Sequence, residues 1–189
     1  PQIFGIVQGG CFSDLRNLSL DEITSLPFDG FALGGLAVGE NNQDMYSVVE
    51  EFAPQLPEDK PRYLMGVGKP ENILENIERG IDMFDCVLPM RNARHGLVYT
   101  WDGPLRIRNA KYREDFSVLD PRLDDYVNKE KKFSRAYLHH LFRVDETLGK
   151  RLLTMHNISF YQDLVRQARL QILNGTYSRW KNEIVSRFV

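Results

Sequence analysis

Gly80-Ile81-Asp82-Met83-Phe84-Asp85-Cys86-Val87-Leu88-Pro89-Met90-Arg91-Asn92-Ala93-Arg94-His95-Gly96 reads as an apolar strand that ends on a carboxylate and runs into a turn with two arginines. Met83, Phe84, Val87 and Leu88 predict a buried strand over 82–88, and Pro89, lacking an N–H for a ladder, ends it and releases a loop. Asp85 then falls at the strand mouth, where a carboxylate contributes nothing to packing and carries a desolvation cost. Two readings stand here. Asp85 is a nucleophile beside the phosphate-gripping Arg91 and Arg94, or it is a turn carboxylate paired with Arg91, as structural ion pairs commonly are.

Upstream, an order of strand, glycine-rich turn and helix repeats. Residues 3–7 form an apolar run ending in Gln8-Gly9-Gly10, and Ser13 is placed to cap a helix to about 24, with Leu15, Leu18 and Ile23 on its inner face. A second strand over 30–33 ends in Gly34-Gly35, and a helix over 44–52 carries Met45, Val48, Val49 and Phe52 on one side. The third strand, 63–67, leads to Pro70 at a first helical position, with Ile73, Leu74 and Ile77 inward and Gly80 as the stop. Four such alternations predict a parallel sheet with right-handed crossovers. A (β/α)8 barrel needs eight units and about 250 residues, so the expected fold over 1–95 is α/β, half of such a barrel, and the resemblance given below implies that it is the second half. A β-hairpin and helical subdomain follow over 96–189.

The hairpin is expected around Asp102-Gly103, between runs 97–101 and 104–108. Arg91, Arg94, Arg106, Arg108, Lys111 and Arg113, interleaved with Tyr99, Trp101 and Tyr112, form either an RNA-facing strip or a solvated hairpin face. Beyond Phe133 the pattern turns helical: one helix with Tyr137, Leu138, Leu141 and Phe142 on a face, a second over 147–153, and a third from about Phe160 to Asn174-Gly175. His139 and His140 lack a metal-like partner and read as packing or surface groups, and His95 as an RNA contact or a bystander.

Composition narrows the class. The 189 residues are 42% hydrophobic and 26% charged with a net charge of −2, enough apolar material for a core and no field that advertises a nucleic-acid binder. Apolar runs are far shorter than a membrane span, so no membrane and a cytoplasmic location are expected. Cys11 and Cys86 form no CxxC or ligand cluster, and reduced thiols are the default.

The stretch around Asp85 resembles the catalytic-aspartate motif of the bacterial tRNA-guanine transglycosylases (queuine tRNA-ribosyltransferases), with Met90 where that family usually carries Thr. Phe4-Gly5-Ile6-Val7-Gln8-Gly9-Gly10, Gly34-Gly35-Leu36-Ala37-Val38-Gly39-Glu40, Tyr63-Leu64-Met65-Gly66-Val67-Gly68, Phe133-Ser134-Arg135-Ala136-Tyr137-Leu138 and His156-Asn157-Ile158-Ser159-Phe160-Tyr161 resemble the same family, in the same order. The resemblance implies exchange of wobble guanine in tRNA for a 7-deazaguanine precursor of queuosine through an aspartyl-ribosyl intermediate on Asp85, much as retaining glycosidases use a carboxylate twice. It further implies that Gln8, Gly35 and Leu36 bind the purine, and that Met65 lies against it or merely fills core. Gly66, Val67, Gly68, Lys69 and Pro70, together with Met90, Arg91, Asn92, Ala93 and Arg94, would contact the RNA. The family's upstream aspartate motifs match no segment here, as a truncated, proteolysed or split protein would show. An alternative is therefore a noncatalytic subunit or fragment that binds tRNA or a partner. Open sheet edges and the family's bacterial habit both imply a homodimer.

The chain departs from this family at its structural zinc, held there by three cysteines and a histidine. Leu123, Asp125 and Asn128 stand at the cysteine positions, followed by a two-residue expansion around Glu130-Lys131, and only His156 remains. No zinc or other cofactor is expected, with the 120–132 loop held by hydrogen bonds and packing.

Overall fold

Phe4–Val7 (β1), Gly30–Leu33 (β2), Arg62–Leu64 (β3) and Met83–Phe84 (β4) pair side by side in chain order, all parallel. Three helices, Ser13–Thr24 (α1), Asn42–Phe52 (α2) and Pro70–Glu78 (α3), connect them. This computed structural model describes residues 1–188, which divide into two compact units, Pro1–Cys86 and the chain from Val87 onward.

In the first unit, side chains alternate across the sheet as strand geometry requires. Val7, Phe31, Leu33 and Leu64 pack with Met45, Val48, Val49 and Phe52 of α2 into one buried cluster, and each such fully buried side chain contributes about 1.5–3 kcal/mol relative to exposure. Asn41 caps α2 by accepting the Asp44 N–H at 2.9 Å, and Pro70 opens α3, where its fixed φ suits a first helical position. Two expectations about α1 are corrected. Ser13 lies inside the helix, with Phe12 at the cap position, and its hydroxyl donates to Glu51 at 3.1 Å. Leu15 and Leu18 face solvent, whereas Arg16 and Leu20 are buried; the turn after β1 sets the helix phase, which periodicity of apolar residues cannot see.

The fourth strand is shorter than predicted. It covers Met83–Phe84, Val87 is exposed, and a helix, Leu88–Arg94 (α4), takes the place of the expected loop. Pro89 explains the difference, since a residue that cannot join a ladder starts a helix instead. Along α4, Pro89 and Ala93 are buried four residues apart, while Met90, Arg91 and Arg94 point to solvent.

The second unit begins with α4, so the division falls earlier than the expected one after residue 95. Leu97–Thr100 (β5) and Gly103–Arg106 (β6) form an antiparallel hairpin, with Gly103 at φ +105 after the turn. Arg135–Arg143 (α5), Thr147–Leu173 (α6) and Tyr177–Val185 (α7) follow. The two separate helices expected over 147–174 are one, because no proline breaks the run and Leu152, Leu153, His156, Asn157, Phe160, Leu164 and Ala168 bury a continuous stripe. Asn157 ties this helix to its neighbours: its amide donates to the Pro89 and Leu97 carbonyls, both at 3.0 Å, and accepts the Tyr99 N–H at 3.1 Å. No helix among the described residues is long and apolar enough to cross a membrane.

Candidate active site at the carboxyl edge of the sheet

Every strand of the first unit is followed at once by a residue of interest: Gln8 after β1, Gly34-Gly35-Leu36 after β2, Met65-Gly66 after β3 and Asp85 one position beyond β4. Parallel pairing in register therefore collects them along one edge. Asp85 is exposed there, on the rim that carries Gln8 and Gly35.

The carboxylate of Asp85 is held firmly. Tyr63 Oη donates to Oδ1 at 2.6 Å and the Gly66 N–H donates to the same oxygen at 2.9 Å; no other described residue donates to Oδ2. Tyr63 pairs with Met83 across β3 and β4, and Asp85, two residues on, shares its face. The Phe4 ring packs edge-on against Tyr63, with centroids 6.4 Å apart. The Tyr63 bond, then the Gly66 N–H, lower the Asp85 pKa, and the same bond, then burial, push Tyr63 up to about 12. At neutral pH Asp85 is thus an anion with one oxygen anchored and one presented. From the sequence Tyr63 carries no site role of its own; its place two positions before Met65, on a strand beside Asp85, was the available signal. Because the donor favours the charged form, Tyr63→Phe is expected to raise the Asp85 carboxyl pKa, read directly by carboxyl carbon NMR titration. An unchanged or lower value would show that the bond does not hold the carboxylate.

The candidate base-binding residues cluster as well. The Gln8 carboxamide makes no hydrogen bond within the described residues and lies against Gly34 and Gly35, where an added Cβ would come within 2.5 Å of Nε2 and 2.9 Å of Oε1 respectively. Only glycine allows that approach, and Gly35 in addition adopts φ +68. Glu40 fastens the following turn by accepting the Ala37 and Val38 N–H groups. Burial raises the Glu40 pKa, but the backbone bonds together outweigh it and leave the group below its ordinary value. Leu36 is buried, and Met65 is half-buried.

The residues assigned to RNA separate into open and closed sets. Of 66–70, Gly66 and Lys69 are exposed, while Val67, Gly68 and Pro70 are buried; Val67 belongs to the core, so its side chain and that of Pro70 are withdrawn from any RNA contact. In the second unit, Met90, Arg91 and Arg94 are exposed, but Ala93 is fully buried and Asn92 donates to Tyr99 Oη at 2.6 Å. The aromatic members of the expected strip are also core. Tyr99 stacks on Phe160, Trp101 donates its indole N–H to Asp163 at 3.0 Å, and Tyr112 is buried. The core took Tyr99 and Trp101 from the hairpin and Tyr112 from the turn at Ala110–Tyr112, because burying an aromatic ring outweighs displaying it.

The positions that the resemblance aligns with zinc ligands carry a different structure. Leu123 is core and offers no donor atom. His156 is fully buried; its Nε2 lies 2.8 Å from the Tyr99 carbonyl, which can only accept, so Nε2 bears the proton and Nδ1 accepts from Asn128 Nδ2 at 2.8 Å. The Asn128 amide also donates to Asp125 at 3.0 Å, and its oxygen accepts the Asp120 N–H at 2.9 Å. Asp125 reaches His156 through that amide, since its carboxylate lies 3.9 Å from Nδ1, and burial keeps the imidazole neutral by lowering its pKa. The expanded segment forms a π-helical turn, Tyr126–Glu130, capped by Asp125. With no thiolate and every polar atom engaged, these residues do not fit tetrahedral zinc. Among the described residues no group of three or more His, Cys, Asp or Glu side chains could hold a metal ion.

A parallel sheet with polar and ionised groups gathered at the carboxyl ends of successive strands defines the class of α/β domains that build their sites at that edge. The model of the family described as Queuine tRNA-ribosyltransferase matches residues 1–189. The chain is 57% identical over 173 residues to a "Queuine tRNA-ribosyltransferase" of Psychromonas ingrahamii, covering 92% of this chain and 46% of that protein. It is 51% identical over 186 residues to one from Shewanella frigidimarina, covering 98% and 49%, and 48% identical over 186 residues to one from Francisella tularensis, covering 98% and 50%. The chain belongs to the queuine tRNA-ribosyltransferase family, and it spans about half the length of these relatives.

Proposed function

We propose that the full-length protein exchanges wobble guanine in tRNA for a 7-deazaguanine precursor base, working in the cytoplasm as a homodimer, and that Asp85 is the nucleophile. The observation that carries this reading is the ionised Asp85 carboxylate, anchored through one oxygen and open through the other, on the rim shared with Gln8 and Gly35. Attack of the free oxygen on the ribose anomeric carbon breaks the glycosidic bond, and its electron pair leaves with guanine, which takes up a proton. The incoming base then attacks the same carbon through a ring nitrogen, giving up the proton that nitrogen carried, and releases the carboxylate, so two inversions retain configuration and one proton is taken up for each one lost.

Gln8 supplies an unoccupied amide donor and acceptor for a purine edge, with the Gly35 and Leu36 peptides beside it and Met65 at hand for the ring face. Lys69 in the first unit is exposed and available to RNA, and so, in the second, are Met90, Arg91 and Arg94. The four-stranded sheet is read as half of a (β/α)8 barrel. One face is covered by helices, and the other, with Phe4, Ile6, Tyr63 and Met83, carries apolar residues of which Ile6 and Met83 are exposed. The 120–132 segment does its structural work without zinc, through the Asp125–Asn128–His156 bonds.

The test uses tRNA carrying labelled wobble guanine, incubated with the full-length protein and excess unlabelled precursor base. Release of the label at a rate that depends on the base is expected. Full retention of label by protein that binds the tRNA would sink the proposal.

A further inference from the structure

Arg16 is fully buried beneath the purine-type site, and it makes no ion pair with any described residue. A buried cation without a counter-charge is costly, and the usual remedy is a carboxylate or strong hydrogen bonds. Arg16 uses two backbone carbonyls: Nε donates to Gly10 at 2.6 Å and Nη2 donates to Gly34 at 2.8 Å. Its remaining edge, Nη1, is buried without a hydrogen-bond partner, and the guanidinium carbon sits 5.9 Å from the centre of the Phe52 ring. Burial lowers its pKa while Cys11 and Glu40, neither bonded to it, raise it; from so high a starting value the group remains charged.

The two carbonyls belong to the loops that end β1 and β2, the loops that display Gln8 and Gly35. The Gly34 oxygen and the Gly35 N–H are the two ends of one peptide group. At one end stands the buried cation; at the other, an N–H on an exposed residue has no partner among the described residues. Charge drawn toward the oxygen of a peptide makes its N–H a stronger donor, as hydrogen bonds in a chain polarise one another. An apolar residue at position 16 would fill the space at lower cost, and α1 would keep its inner face.

Resting on the base-exchange reading above, we propose that Arg16 is a positioning residue for the purine: its guanidinium locks the Gly34–Gly35 peptide and polarises the Gly35 N–H toward an acceptor on the base. Of guanine's two acceptors on that edge, O6 and N7, only the carbonyl oxygen is kept by a 7-deazaguanine. The role therefore appears in binding of guanine and not in binding of a purine that lacks that oxygen.

The test measures calorimetric binding of guanine and of 2-aminopurine to the full-length protein and to its Arg16→Met and Arg16→Lys variants, with Tm recorded for each. Arg16→Met is expected to weaken guanine binding about threefold to fivefold, through an N–H no longer polarised and a peptide no longer held in place, and to change 2-aminopurine binding less than about twofold. Arg16→Lys keeps the charge but reaches one carbonyl, and is expected to fall between wild type and Arg16→Met; it carries the comparison if Arg16→Met does not fold. In base exchange the loss should appear in KM for the base with kcat kept. Equal losses for both purines, or no loss for guanine, would overturn the assignment while leaving the base-exchange reading intact. Wild-type protein that exchanges no base and binds no guanine would overturn both.

Discussion

Asp85→Asn should abolish base exchange, lowering the single-turnover rate by at least about four orders of magnitude, the scale on which enzymes lose activity when a covalent nucleophile is removed. The substitution is nearly isosteric. The Asn carbonyl oxygen can still accept from Tyr63 Oη and the Gly66 N–H, so the edge of the sheet keeps its shape. What disappears is the negative charge and, with it, the ability to form an ester with ribose. Binding of tRNA should stay within about threefold, because phosphate contacts dominate such affinity and Asp85 makes none. A denaturing gel that resolves protein crosslinked to tRNA should show the adduct with wild type and none with the variant. Exchange by Asp85→Asn at more than a tenth of the wild-type rate would remove Asp85 from the chemistry and return it to the role of turn carboxylate.

His156→Ala should destabilise the fold by about 3–5 kcal/mol, the sum of a ring-sized cavity and of polar groups left unpaired in the interior. The groups left behind are the Asn128 N–H that Nδ1 accepts and the Tyr99 carbonyl that Nε2 bonds, while Asn128 keeps its bonds to Asp125 and from the Asp120 N–H. The same network predicts that chelators leave Tm unchanged and that purified protein contains far less than one zinc per chain. Urea unfolding and elemental analysis read the two quantities. One stoichiometric zinc, lost in His156→Ala together with the stability, would show that a metal and not the hydrogen-bonded relay holds the segment.

Much of the first unit could be read before any coordinates. Glycine turns after short apolar runs located β1 and β2, the one-sided set Met45, Val48, Val49 and Phe52 located α2, and Pro70 and Gly80 bracketed α3, because these signals are local and each has one physical meaning. A carboxylate at a strand mouth likewise marked Asp85 as a local anomaly, open to reading as a nucleophile or a turn carboxylate until the family resemblance implied the first. That Leu123, Asp125 and Asn128 are not cysteines was also plain in the residues, although the hydrogen-bonded network that Asp125 and Asn128 build was not.

Only the tertiary structure decided the rest. Which face of α1 turns inward depended on how the turn at Gly9 and Gly10 delivers the helix to the sheet, so Arg16 went in and Leu15 and Leu18 stayed out. That Tyr63 holds Asp85 depends on the register of two strands twenty residues apart along the chain, as pairing between strands is nonlocal. Tyr99, Trp101 and Tyr112 looked equally fit for RNA or core in a one-dimensional pattern. The hairpin's packing against Phe160 and its neighbours put Tyr99 and Trp101 inside, since a hydrophobic surface is assigned by whatever lies opposite, and the opposing surface comes from sixty residues downstream.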